Sequence, residues 1–154
     1  MTFVLYISEN NPEDLTGVVG GAITSTPLSG YVSELFYHVS APPSGLDDPS
    51  YQYRKIFVKN EFGSHTSEVR LWLDAVEHSG QVHVTTGTSS DTSYVDTEPT
   101  VDDWHYPSNY SNGIALGDLA MGSSQSVWIR QTLSGITTPD PYATFRIVVG
   151  GLVE

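Results

Sequence analysis

Residues 53–73, read together with residues 116–129, constrain this chain more than any other stretch. The first begins Tyr53-Arg54-Lys55-Ile56-Phe57-Val58-Lys59-Asn60, crosses a polar turn and re-enters as Val69-Arg70-Leu71-Trp72-Leu73. Side chains of an extended chain alternate between two faces. Arg54, Ile56 and Val58 therefore share one face, and Tyr53, Lys55, Phe57 and Lys59 the other. Val69, Leu71, Leu73 and Ala75 form one face of the next strand, with Arg70, Trp72 and Asp74 opposite. The second stretch runs Leu116-Gly117-Asp118-Leu119-Ala120-Met121-Gly122 and then Ser126-Val127-Trp128-Ile129. Here a Leu-x-x-Gly corner feeds a strand in which Val127 and Ile129 oppose Trp128 and Arg130. Gly122 permits a backbone turn that a β-carbon would resist, and Leu119 is placed to plug the end of a core.

This order of strands and corner is that of an immunoglobulin-like antiparallel β-sandwich, and all-β is the expected class. The buried set expected from period-two alternation is Ile56, Val58, Val69, Leu71, Leu73, Val127, Ile129, Phe145 and Ile147. Trp72 and Trp128 oppose the core faces. A neighbouring subunit could cover them, or they could lie half-exposed beside Arg70 and Arg130.

The remaining chain divides at about residue 50. Residues 1–50 read as an N-terminal docking arm and residues 51–154 as the sandwich. Residues 3–7 form a short apolar strand, and Gly20-Gly21-Ala22-Ile23 fits an extended arm or a bulged strand. Over residues 32–39 a short helix competes with a strand, and the proline-rich stretch 41–50 is a loop. Val18, Val19, Ile23, Leu28, Leu35 and Phe36 are apolar residues without an evident core of their own, which suggests burial against a partner. On this reading, removing residues 1–30 leaves the sandwich folded and abolishes docking. Residues 87–103, rich in Ser, Thr and Asp, read as a long loop. Trp104, Tyr106 and Tyr110 fall close together beside His105 and Pro107. They either cover one end of the core or form an aromatic recognition loop able to stack on sugar faces.

Composition excludes several functions. The chain of 154 residues is one domain's worth. Acidic residues outnumber basic ones 18 to 6, for a net charge of −12. That charge repels phosphate backbones and argues against nucleic acid as a direct partner. There are no cysteines, so neither a disulfide framework nor a thiolate metal site is available. No apolar stretch approaches the ~18 residues of a spanning helix, so no membrane partner is expected. No basic segment with an apolar run follows Met1, so no signal peptide is expected.

Chemistry-bearing motifs are equally sparse. His38, His65, His78, His83 and His105 lack metal-ligand spacing. Asp47, Asp48, Asp91, Asp96, Asp102 and Asp103 fall in loops without an EF-hand pattern, and solvated acids are the expectation rather than a calcium site. Gly122-Ser123-Ser124-Gln125-Ser126 lacks the second glycine of a nucleophile elbow. Gly17–Gly21 is followed by no Gly-Lys-Ser/Thr. Asn109-Tyr110-Ser111 matches a glycosylation acceptor, which has meaning only for a secreted chain. No catalytic residue, metal or cofactor is therefore expected, and a non-enzymatic role follows.

Several of these segments, in order, resemble one known group. Gly20-Gly21-Ala22-Ile23 is followed by Leu35-Phe36 with Val39-Ser40, then by Tyr53-Arg54 with Ile56-Phe57-Val58-Lys59-Asn60. Gly117 with Leu119, and Val127-Trp128-Ile129-Arg130, complete the series. The pattern, from about residue 17 onward, is similar to that of tailed-phage virion structural proteins, small proteins with an immunoglobulin-like body. Tyr37-His38 departs from it, since a more acidic or Asn/Asp-type continuation would follow Leu35-Phe36. The resemblance implies a structural role in the virion, assembled in the host cytoplasm. The implied protein is a capsid cement (decoration) protein that docks on and stabilises the head as a symmetric homo-oligomer. The alternative is a tail or fibre component that binds a host surface glycan through Trp104, Tyr106 and Tyr110. In both cases the partners are capsid or tail proteins of the same particle.

Overall fold

The computed structural model describes residues 2–10, 19–28, 51–74, 82–86, 94–95, 106–132 and 146–154. They form nine strands and no helix: β1 (Phe3–Asn10), β2 (Val19–Pro27), β3 (Tyr51–Asn60), β4 (Thr66–Asp74), β5 (Val82–Thr86), β6 (Tyr94–Val95), β7 (Ile114–Leu119), β8 (Ser124–Thr132) and β9 (Arg146–Val153). One sheet has six strands in the order β5-β8-β3-β1-β2-β6, and the other has three in the order β7-β4-β9. Every pairing is antiparallel.

The two sheets meet as a sandwich. Ile56 and Val58 of β3 and Val127 and Ile129 of β8 face Val69, Leu71 and Leu73 of β4 and Ile114, Leu116 and Leu119 of β7 in one core. The seven residues expected to be buried in β3, β4 and β8 are all buried. Ile147 is half-buried and packs on that core. Phe145, the stretch 32–39, Trp104 and the loop aspartates lie outside the described residues. Within the stretch read as a long loop, Tyr94 and Val95 pair with Gly20 and Val19.

The N-terminal strands are placed differently from an arm. β1 pairs with β3 from Phe3↔Asn60 to Ile7↔Ile56, next to the centre of the larger sheet. Phe3 and Leu5 pack against the core. β2 then pairs with β1, and its register slips twice, so that β2 carries extra residues between Gly20 and Pro27. Gly20 (φ 95°) and Gly21 (φ 92°) supply the left-handed backbone that such a bulge needs. Of the two readings of the glycine pair, the bulged strand is the one observed. An apolar strand that lacks a core locally has found one through non-local pairing, and local sequence does not reveal that partner.

The larger sheet is also buried on its second face at the β3–β8 pair. Lys55, Phe57, Ser126 and Trp128 lie there, all at 2% exposure or less. The Lys55 ammonium sits 5.4 Å from the Phe57 ring centroid and 5.7 Å from that of Trp128, a cation–π placement that offsets part of its desolvation. Trp128 therefore needs no neighbouring subunit to cover it.

Candidate functional site

Among the described residues two larger polar or aromatic arrangements stand out, one at an end of the sandwich and one on the outer face of the smaller sheet. The first is built on Asn60, the last residue of β3, which is fully buried. Its amide nitrogen donates to Leu119 O (2.8 Å) and Ser64 O (3.0 Å), and its Oδ1 accepts from Phe62 N at 2.9 Å. Thr66 Oγ1 donates to the same Leu119 carbonyl at 3.1 Å. Backbone bonds run from Gly122 N to Asn60 O and from Asn60 N to Ser123 O, both 2.9 Å. Gly122 has φ 77°, the left-handed turn expected at this corner. The strand-ending Asn and the Leu-x-x-Gly corner are thus joined in space. The arrangement satisfies buried polar groups and holds the fold.

The second feature is an aromatic–basic platform. Arg70 and Trp72 project from β4 on the face opposite Val69, Leu71 and Leu73. Tyr110, in the loop before β7, stands edge-on to Trp72 at 5.8 Å with an interplanar angle of 90°. The Arg70 guanidinium lies 5.6 Å from the Tyr110 ring centroid. Both rings lie over Gly150 of β9, where an added Cβ would come within 3.1 Å of Trp72 and 3.7 Å of Tyr110.

The platform is held from below and from the side. Tyr110 Oη donates to Glu68 O at 2.9 Å. Arg70 Nη1 donates to Ser111 O and Gly113 O, both at 3.3 Å. Asn112 Oδ1 accepts from Ser108 N (2.8 Å) and Asn109 N (2.9 Å), while Asn109 Oδ1 accepts from Asn112 N (3.1 Å) and Ser111 Oγ (2.6 Å). Leu73 N donates to Pro107 O at 2.8 Å, which ties the loop to β4. Chemically the platform offers exposed ring surface and a cation, a combination that takes a planar or sugar-like group or the apolar side chain of a partner.

The expected site residues separate on this geometry. Of the aromatic loop, Tyr110 is exposed, whereas Tyr106 packs against the core and Trp104 is outside the described residues. Arg70 stacks on Tyr110. Among the residues assigned to docking, Ile23 is exposed on β2. Leu28 instead packs on the core and donates its N–H to Leu5 O at 2.8 Å, so it is not free for a partner. Val19 is backbone-paired with Val95; Val18, Leu35 and Phe36 fall outside the described residues. Trp72 was visible in the sequence as an aromatic on the wrong parity for the core, but its meeting with Tyr110 was not.

A third, smaller cluster joins β1 to the β3–β4 turn. Tyr6 Oη donates to Glu61 Oε1 at 2.5 Å, Lys59 Nζ is 3.4 Å from the same oxygen, and Lys59 lies over the Tyr6 ring at 5.5 Å. The hydrogen bond from Tyr6, assisted by Lys59, holds the Glu61 carboxyl below the usual carboxylate range. The same bond raises the Tyr6 phenol. His65 Nδ1 lies 3.2 Å from Glu154 Oε2.

Among the described residues no three His, Asp or Glu side chains converge as a metal site, and no helix is long and apolar enough to cross a membrane. Comparison with protein-family models, with curated proteins and with solved structures found no match.

Proposed function

We propose that this chain is a non-enzymatic structural component of a tailed-phage particle, a cement protein that docks on the head and stabilises it. The observation that carries the reading is where the resemblance-bearing residues sit. Tyr53–Asn60 belongs to β3, Gly117 and Leu119 to β7, and Val127–Arg130 to β8. They build the core and the Asn60 staple. Within β3, β7 and β8 the likeness rests on the residues that build the body of the sandwich. A rigid sandwich with net charge −12 suits docking on a locally neutral or basic protein lattice.

A second reading has its own support. The Trp72–Tyr110–Arg70 platform is a braced, partly exposed aromatic surface of the kind that stacks on sugar rings. On that reading the chain is a tail or fibre component that binds a host surface glycan. Co-sedimentation separates the two. A cement protein pellets with empty capsids and ignores cell-wall glycan; a glycan binder does the reverse, and Trp72→Ala abolishes its pelleting. Copy number in purified virions adds an independent measure, since a cement protein scales with shell subunits and a tail protein with the tail. Pelleting with neither partner would sink both readings.

A further inference from the structure

The three-stranded sheet ends on β9, which pairs with β4 along one side and, among the described strands, with nothing along the other. Backbone groups of an antiparallel strand point alternately to its two neighbours. Glu154 N donates to His65 O at 3.1 Å, so the even-numbered residues of β9 address β4. The slip in the β4–β9 register puts the extra residue on β4, between Ser67 and Arg70, so the alternation along β9 is unbroken. Ile147, Val149, Gly151 and Val153 therefore turn their N–H and C=O groups to the open side.

Arg146, Val148, Gly150, Leu152 and Glu154 share the outer face. Leu152 and Val153 are 57% and 53% exposed, and the side chains of Arg146 and Glu154 are 68% and 61% exposed. No proline interrupts the strand, and its one basic residue is at its start. Such an edge invites another strand.

We propose that two copies of this chain pair through β9, antiparallel, about a twofold axis at Gly150. Opposed residues in an antiparallel pair lie on the same face, so the axis must pass through a residue and not between two. At Gly150 it sets Arg146 against Glu154 of the second copy and Val148 against Leu152 of the second copy. An axis at Val149 would set Arg146 against Leu152, and one at Gly151 would set Val148 against Glu154. Only the Gly150 axis matches charge with charge and apolar with apolar.

It also makes these the non-hydrogen-bonded pairs, in which side chains approach most closely. Ile147 and Val149 then exchange backbone bonds with Val153 and Gly151 of the second copy. Trp72 and Tyr110, lying over Gly150, face their own copies across the axis. The product is a continuous six-stranded sheet with two β7 edges. An isologous contact of this kind is closed and does not propagate.

The inference places self-association at the C-terminal strand and stands apart from the proposed function. A dimer that binds no particle would count against the function alone, and a monomer that binds particles against this pairing alone. The full chain is expected to sediment at twice 16.8 kDa. Because the chain has no cysteine, a V148C/L152C variant bonds only through the introduced thiols. Those positions are ~13 Å apart along one strand, beyond disulfide reach, so any bond joins two copies. Under mild oxidation the double variant should form a covalent dimer about tenfold faster than V148C or L152C alone. A wild-type chain that stays monomeric at tens of micromolar would overturn the proposal. So would a double variant that links no faster than the single ones, even if the wild type dimerises, because the register would then be wrong.

Discussion

At one end of the sandwich the carboxamide of Asn60 makes three hydrogen bonds inside a fully buried site. Each contributes about 0.5–1.5 kcal/mol net, and the orphaned carbonyls add a penalty. Asn60→Ala is expected to cost about 2–4 kcal/mol in urea unfolding. Asn60→Asp should cost more, because a carboxylate would face the carbonyls of Leu119 and Ser64 with no donor. If the Asp variant melts like the wild type, the side chain is not the donor described.

The Tyr6–Glu61 pair gives a pH signature at the same scale. Folding lowers the Glu61 pKa, so its contribution is present above the carboxyl range of the unfolded chain and lost as pH falls through the lowered value. Folding raises the Tyr6 pKa, so that contribution is present below the ordinary phenol range and lost as pH rises through the raised value. Tyr6→Phe keeps the ring under Lys59 and removes the hydroxyl. Its thermal midpoint should fall below that of the wild type at neutral pH, and the gap should narrow as pH falls through the lowered Glu61 range. A gap that is constant across pH would show that the hydroxyl acts otherwise.

Among the elements, β1 carries the largest consequence. It lies between β3 and β2, so its removal strips Phe3 and Leu5 from the core and parts β2 and β6 from the sheet. A chain starting at residue 11 should lose its cooperative thermal transition, since each half-buried apolar side chain lost costs on the order of 1–2 kcal/mol and the inner edge of β3 is bared. A truncated chain that melts as sharply as the full one would restore the view of residues 1–10 as an appendage.

Period-two patterning made β3, β4 and β8 legible, because one face of each enters the core and alternation records it. β1 and β2 were legible as extended segments but not as sheet members, since pairing partners leave no local mark. β7 was visible only as the approach to a corner, because Gly117-Asp118 breaks its alternation between Leu116 and Leu119. The burial of Lys55 and Trp128 within the chain was also hidden, because alternation places them opposite the core without revealing what covers that face. Of the platform, Tyr110 was legible but its meeting with Trp72, Arg70 and Gly150 was not, because these lie on β4 and β9.

For the whole molecule, charge is the property most open to measurement. A net charge of −12 should steer the chain toward neutral or basic patches, with screening over about 8 Å at physiological ionic strength. If it docks on a capsid, raising salt should slow association while dissociation changes little, as read by surface plasmon resonance on immobilised shells. Dissociation that accelerates with salt in step with the fall in association would mean that ion pairs, not apolar burial, hold the bound state.

The pairing of β4 with β9 also bears on how the chain is made. Arg70 meets Gly150 and Asp74 meets Arg146, so the middle strand of the smaller sheet waits for residues synthesised long after it. β3 likewise waits for β8. During translation β3 can pair with β1 as it emerges, but β4 has no partner before β7, and the core still lacks Val127 and Ile129 of β8 and the flanking Ile147 and Val149 of β9 until those strands clear the ribosome. Folding should therefore be a late, single event set by long loops, on the order of milliseconds to seconds. A ribosome stalled before residue 146 should hold a protease-sensitive chain, prone to bind chaperones.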